Sequence, residues 1–294
     1  MCQSAGADSA TAHAGPDPDV VRCSDGKTFY NKRLDAANVW EVDVDPEVIE
    51  EVAQIFFGEA GDSSGGPFAG TTGMAEPYQE IETTCGTFFA QRVSWDSNIA
   101  WVSVDDQRSL SRFEALFSQL SLAERFASVI PHDVSPRLYS AFFVTRSFCN
   151  SHNFHTDYFA NVGTHAMTLI TPLRDYTETD SFQLTYCRQD EEGQIRLQPD
   201  GRTPELRRYV YHKGKAVVFG SRFEHSTEPG ASREPNDGPH AYLCFTFGTD
   251  IQARWPDISQ TLGTQSRIVV EPDGELRLSA VGQAIEEALA AMES

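Results

Sequence analysis

Apolar residues recur at helical spacing in three stretches of the chain. Between Pro46 and Phe57 the residues Val48, Ile49, Val52, Ile55 and Phe56 share one face, with Asp45 placed to cap the first turn and Gly58 to end the last. From Ser109 to Ile130, Phe113, Leu116, Phe117, Leu120, Leu122 and Phe126 are spaced for burial, which predicts one long helix. A third, amphipathic helix is expected from about Ala280 to Met292. Strand-like character begins at Gly86 to Trp95 and dominates after residue 136. Arg137 to Arg146, His165 to Leu173, Phe182 to Arg188, Arg207 to His212, Lys215 to Gly220 and Ala241 to Gly248 are short, rich in β-branched and aromatic residues, and bounded by turn residues. This succession predicts an antiparallel sandwich or barrel, mainly β with flanking helices, rather than a parallel α/β fold. A hairpin is expected from Arg267 to Val270 and Glu275 to Leu278 around Pro272-Asp273-Gly274. The chain has no internal repeat.

Two segments break the pattern. Residues 1 to 22 are rich in Ala, Ser, Gly, Asp and Pro, and such a composition buries too little apolar surface to offset ordering, so a disordered tail is expected before a single domain over 23–294. Residues 58 to 77 form a Gly-rich stretch longer than an ordinary connection, expected as either a lid near a site or a disordered insertion. The 294 residues carry 23 Lys and Arg against 43 Asp and Glu, a formal charge of −20. Four lysines in that acidic background argue against nucleic acid as a partner. No apolar run approaches the roughly 20 residues of a membrane helix, so no membrane partner is expected. Six scattered cysteines without a CxxC pair, and no apolar core near the N-terminus, point to reduced thiols and a cytoplasmic location.

The segment most informative about chemistry is Ser151-His152-Asn153-Phe154-His155-Thr156-Asp157-Tyr158. In extended backbone, residues i and i+2 point to the same side, so His155 and Asp157 can offer an imidazole and a carboxylate to one ion. About 70 residues on, the strand KAVVFG runs into Ser221-Arg222-Phe223-Glu224-His225, placing His225 where a third ligand can come from. Two imidazoles and one carboxylate on one face of a metal leave three positions open, the arrangement of non-haem Fe(II) oxygenases. On this motif and on the segments TLITPLRDYTETDSFQLTYC and VVFGSRFEHSTEPG, residues 137 to 250 resemble the Fe(II)/2-oxoglutarate-dependent dioxygenase superfamily, in its phytanoyl-CoA hydroxylase-like and prolyl hydroxylase-like forms. The first third of the chain carries no such resemblance.

The resemblance implies a double-stranded β-helix, a jelly-roll or cupin-like barrel over about 137–250, with an N-terminal helical flank and a C-terminal hairpin and helix. It implies Fe(II) held by His155, Asp157 and His225, with 2-oxoglutarate and O2 as cosubstrates and release of succinate and CO2. The carboxylate at Asp157 leaves no vacated position for chloride, so hydroxylation, desaturation or ring closure at an unactivated C–H is expected rather than halogenation. A small-molecule substrate, such as an amino acid or a natural-product intermediate, is expected over a protein side chain. The sequence departs from the family pattern at one point. Many members place an Arg past the distal His to bind the far carboxylate of 2-oxoglutarate, whereas here the strand HAYLCFTFG begins with His240. Arg233, Arg174 and His240 are the candidates for that role, and Arg146 and Asn150 are placed to donate to cosubstrate or substrate. Tyr139, Phe143, Tyr158 and Tyr186 are pocket candidates for which core packing is the commoner role. Two other readings stay open: a cupin-type metal enzyme that does not use 2-oxoglutarate, and a β-barrel that binds without catalysis. A Ser or Cys hydrolase is disfavoured by the absence of a G-x-S-x-G elbow.

Overall fold

The computed structural model describes residues 19–58, 66–68, 70–93, 96, 98–176, 182–190, 192–231 and 239–293. A meander of β1 (Asp19–Arg22), β2 (Thr28–Arg33) and β3 (Val39–Asp43) leads into α1 (Pro46–Phe57). There follow β4 (Tyr78–Thr83), β5 (Gly86–Arg92), β6 (Ile99–Val104), α2 (Gln107–Gln119) and α3 (Leu122–Phe126). The barrel is then laid down as β7 (Arg137–Arg146), β8 (Phe148–Cys149), β9 (Ala166–Pro172), β10 (Leu184–Cys187), β11 (Leu206–Tyr209), β12 (Lys215–Phe219), β13 (His225–Thr227), β14 (Gly230–Ala231) and β15 (His240–Gly248). The chain closes with α4 (Trp255–Leu262), the hairpin β16 (Ile268–Val270) and β17 (Leu276–Leu278), and α5 (Ala280–Glu293).

One ten-stranded antiparallel sheet has the order β1-β2-β3-β12-β9-β15-β7-β6-β5-β4. Opposite its central strands lie β11-β10-β13 and the β14-β8 pair. From β7 onward the chain crosses repeatedly between the two layers, with β7, β9, β12 and β15 in the large sheet, β10, β11 and β13 in the three-stranded one, and β8 and β14 in the pair. This winding is that of a double-stranded β-helix.

Both faces of the large sheet are covered, which is why β7, β9 and β15 read as unbroken apolar runs. Alternate residues divide between two cores. Phe143, Leu243 and Phe245 face α1 and α2, where the Phe143 ring meets those of Phe56, Phe68, Phe88 and Phe113 at centroid distances of 5.0–6.1 Å. Phe142, Val144, Tyr242, Cys244 and Phe219 face the barrel interior. Asp45 caps α1 as expected, accepting from the Glu47 N–H at 2.9 Å. Asp106 caps α2 through the Ser109 N–H and also accepts from the Thr87 N–H. The close approach explains Gly86, whose φ is +122° and where a Cβ would lie 2.6 Å from the Asp106 carboxylate.

Several expectations are corrected. The single helix over 109–130 is two, broken at Ser121, which sits in the left-handed region at φ 53°. The turn lets the buried Arg125 bond Asn31 Oδ1 (3.0 Å) and the Asp43 carbonyl (2.7 Å), tying α3 to β2 and β3. The N-terminal flank holds six strands besides its helices, and residues 19–22, expected in the tail, pair with β2 as β1. Of the Gly-rich stretch, 59–65 and 69 lie outside the described residues. The described remainder, 66–68 and 70–77, is anchored on the helical side by Phe68, which is fully buried against Phe56, Phe88 and Phe143. Among the described residues no helix is long and apolar enough to cross a membrane.

Candidate metal centre and its cavity

His155 and His225 face each other across the barrel mouth through a two-residue antiparallel bridge, each N–H donating to the other's carbonyl at 3.0 Å. That bridge fixes the backbones of two residues 70 positions apart and sets their ring centroids 4.6 Å apart. Asp157 Oδ1 lies 3.7 Å from His155 Nε2 and 3.8 Å from His225 Nε2. One ligand atom from each of the three residues falls within 4.8 Å of the others.

The orientation of each group is enforced from behind. His155 Nδ1 is 2.8 Å from the Asn153 carbonyl and His225 Nδ1 is 2.9 Å from the Phe223 carbonyl. A carbonyl only accepts, so each Nδ1 carries the proton and each Nε2 presents a lone pair toward the common point. Burial drives the His225 pKa down against the opposing pull of Asp157, which keeps this ring neutral and able to ligate. Thr168, on β9, donates to Asp157 Oδ2 at 3.1 Å and so turns Oδ1 toward the imidazoles. The Ser226 hydroxyl accepts from the Asn153 N–H at 2.8 Å and ties the His-x-Asp loop to β13. The donor set of two neutral imidazole nitrogens and one carboxylate oxygen, with no fourth protein ligand among the described residues, fits a divalent iron ion with open positions.

The three residues open onto a cavity of about 460 Å³ inside the barrel. Its walls are apolar and polar in about equal measure, with Phe142, Val144, Ile170, Leu184 and Phe219 on the apolar side. The one cationic side chain among its described lining is Arg146, at the inner end of β7. Its guanidinium lies 4.9 Å from the centre of the Tyr242 ring, and its Nε and Nη1 are buried with no hydrogen-bond partner. The Tyr211 hydroxyl, on the same cavity, is likewise buried without a partner, and burial raises its pKa far above the ordinary range, so it is a neutral donor.

The other cations expected near the site are elsewhere. Arg174 packs its guanidinium over the Phe57 ring at 3.5 Å on the helical side. His240 pairs with Arg146 across β15 and β7, but its ring is stacked on Tyr176 at 3.8 Å and met edge-on by Phe182, and it does not line the cavity. Arg233 lies outside the described residues. Asn150 and His152 line the cavity. Tyr139, Phe143, Tyr158 and Tyr186 all prove to be core residues. Tyr139 donates to the Thr249 carbonyl, and Tyr186 donates to Asp35. Thr168, Tyr211, Trp101, Asp96 and Gln265 were not anticipated as site residues. Strand parity is the signal for Thr168, which interrupts the otherwise apolar row Ala166, Ile170 on β9. Gln265 follows α4 and carries no local signal.

No protein-family model matches the chain, and no curated protein does. Among solved structures, similar ones include the non-haem alpha-ketoglutarate-dependent epimerase SnoN from nogalamycin biosynthesis, at TM-score 0.44 and 15% identity over 72% of this chain and 79% of that one. AviO1 from Streptomyces viridochromogenes Tue57 gives 0.42 and 14% over 74% and 91%. A Pseudomonas putida prolyl-4-hydroxylase gives 0.39 and 14% over 72% and 91%.

Proposed function

We propose that the chain is a non-haem Fe(II)/2-oxoglutarate-dependent oxygenase that oxidises an unactivated C–H of a small molecule, most simply by hydroxylation, with release of succinate and CO2. The observation that carries this reading is a buried guanidinium with two unpartnered N–H groups on the same cavity as a complete His-Asp-His set. Guanidinium nitrogens buried without partners are costly, and a carboxylate is the group whose geometry the fork matches.

In this reading His155, Asp157 and His225 hold Fe(II), which supplies the activation of O2 coupled to oxidation of the 2-oxo acid. Arg146 receives the far carboxylate of 2-oxoglutarate, and the Tyr211 hydroxyl donates to the same group. The role usually met on the strand after the distal His is thereby moved one strand over, to the register partner of His240. Thr168 keeps Asp157 aimed at the ion. Phe142, Val144, Ile170 and Phe219 exclude water around the chelate, which strengthens each electrostatic contact made there.

The test is equilibrium binding of labelled 2-oxoglutarate to the Fe(II)-loaded chain under argon. Arg146→Gln is expected to weaken binding by at least about 100-fold, the loss typical of removing one partner of a buried charge pair. Arg174→Gln is expected to change it less than about twofold. Unchanged affinity in Arg146→Gln would remove the basis of the cosubstrate assignment.

A further inference from the structure

Thr168 does not act on Asp157 alone. Its hydroxyl lies 3.1 Å from Asp157 Oδ2 and 3.2 Å from the Tyr158 hydroxyl. A threonine hydroxyl has a single proton and a carboxylate only accepts, so that proton goes to Asp157 and the Tyr158 O–H donates to Thr168. The three groups form one directed chain that ends on Oδ2. Oδ1 is left as the oxygen facing the imidazoles, 3.7 Å from His155 Nε2 and 3.8 Å from His225 Nε2. Both donors are firmly seated. Thr168 is on β9 between β12 and β15, paired with Phe219 and Thr246. The buried Tyr158 ring packs with Tyr139, Val162 and Ala166 and with Trp255 and Ile258 of α4. Tyr158 follows Asp157 in sequence, yet its hydroxyl returns to that carboxylate by way of another strand. A phenylalanine would fill the same space in this small core; what the tyrosine adds is a hydroxyl aimed at Thr168.

We propose that Tyr158 is a positioning residue which, through Thr168, keeps Asp157 Oδ2 off the metal, so that Asp157 ligates through Oδ1 alone. The inference rests on the iron assignment above. A carboxylate ligates through one oxygen or through both. Two imidazoles and one carboxylate oxygen leave three positions of a six-coordinate ion open. A second oxygen from Asp157 would take one of them, and 2-oxoglutarate chelated at the other two would leave none for O2. Thr168 occupies Oδ2 from behind, and the Tyr158 donor polarises the Thr168 hydroxyl and strengthens its bond to Asp157. Charge drawn toward Oδ2 also makes Oδ1 a weaker donor, which favours the divalent over the trivalent ion.

The test compares the full-length chain, loaded with iron under argon, with Tyr158→Phe, Thr168→Val, Thr168→Ser and Tyr139→Phe. Tyr139 shares the small core and donates to the Thr249 carbonyl at 2.6 Å, so Tyr139→Phe loses a buried hydrogen bond of the same kind away from the site. The first readout is the Fe(III)/Fe(II) midpoint potential. Tyr158→Phe is expected to shift the balance toward Fe(III) by about three- to tenfold, a fall of about 30–60 mV at 59 mV per tenfold for one electron. Thr168→Val should fall at least as far, while Thr168→Ser, which keeps the hydroxyl, and Tyr139→Phe should stay near the wild-type value. The second readout is the affinity for nitric oxide, a stand-in for O2, of the chain holding both Fe(II) and 2-oxoglutarate. It is expected to weaken about three- to tenfold in Tyr158→Phe, further in Thr168→Val, and not in the other two. Readouts unchanged in Tyr158→Phe, or moved equally by Tyr139→Phe, would leave Tyr158 a packing residue and overturn the proposal. The two failures are distinguishable: a wild-type chain that binds no iron contradicts the metal assignment and this inference with it, whereas iron bound normally and unaffected by Tyr158→Phe contradicts this inference alone.

Discussion

The two faces of the large sheet are made by the same strands and do different work. On the helical face, Phe143 is enclosed by four other phenylalanine rings. On the barrel face, one residue to either side, Phe142 and Val144 border a cavity in which Arg146, Tyr211 and Gln265 keep buried polar atoms unpartnered. A closed apolar pack stabilises and has nothing left to bind. A wall with open donors and acceptors costs stability and is explained by a ligand that completes it. The period-2 alternation of a strand lets one element serve both ends without conflict.

This contrast predicts that variants on the two faces fail differently. His155→Ala or His225→Ala is expected to abolish iron binding and turnover while leaving the thermal midpoint within a few degrees, read by metal analysis and a melt; full turnover in either variant would contradict the ligand assignment. Phe143→Ala should show the reverse, a loss of about 3–5 kcal/mol in denaturant unfolding with iron affinity intact in the fraction that stays folded. Thr168→Val leaves the barrel wall its shape but frees Asp157 Oδ2, and is expected to weaken iron binding about 10- to 100-fold with little change in stability.

The smallest expected effect lies at the edge of the helical face. Asp105 is buried beneath Arg267, and desolvation outweighs that pairing to push its pKa up to about 6. Since the folded chain there holds its proton more tightly than the unfolded chain, stability should fall as pH rises from about 4 to about 6 and the penalty should be complete above that. Asp105→Asn should flatten this part of the stability profile, measured by urea unfolding at several pH values.

The barrel strands were legible because burial on both faces leaves β7, β9, β12 and β15 as short apolar blocks between turns. The N-terminal strands were not: β1 is an edge strand, β2 is its neighbour, both have mostly exposed residues, and nothing in their polar composition separates them from a tail or loop. The break at Ser121 has no Gly or Pro to announce it and follows from the tertiary demand that Arg125 reach β2 and β3. At the site, His155, Asp157 and His225 were candidates from i, i+2 spacing in extended backbone and the end of an apolar strand, taken together with the β-rich context and the family resemblance. Which cation enters the barrel could not. Arg146 and His240 are register partners; Arg146 lines the cavity, while the His240 ring packs against Tyr176 and Phe182.

The central claim is that His155, Asp157 and His225 hold an iron to which 2-oxoglutarate chelates. It is tested most directly by anaerobic titration of the Fe(II)-loaded chain with 2-oxoglutarate, following the weak visible charge-transfer band of a chelated 2-oxo acid. The account predicts a band that saturates at one equivalent in the wild-type chain and is absent in Asp157→Ala. Iron bound without any such band would contradict it and would favour a metal barrel that does not use 2-oxoglutarate.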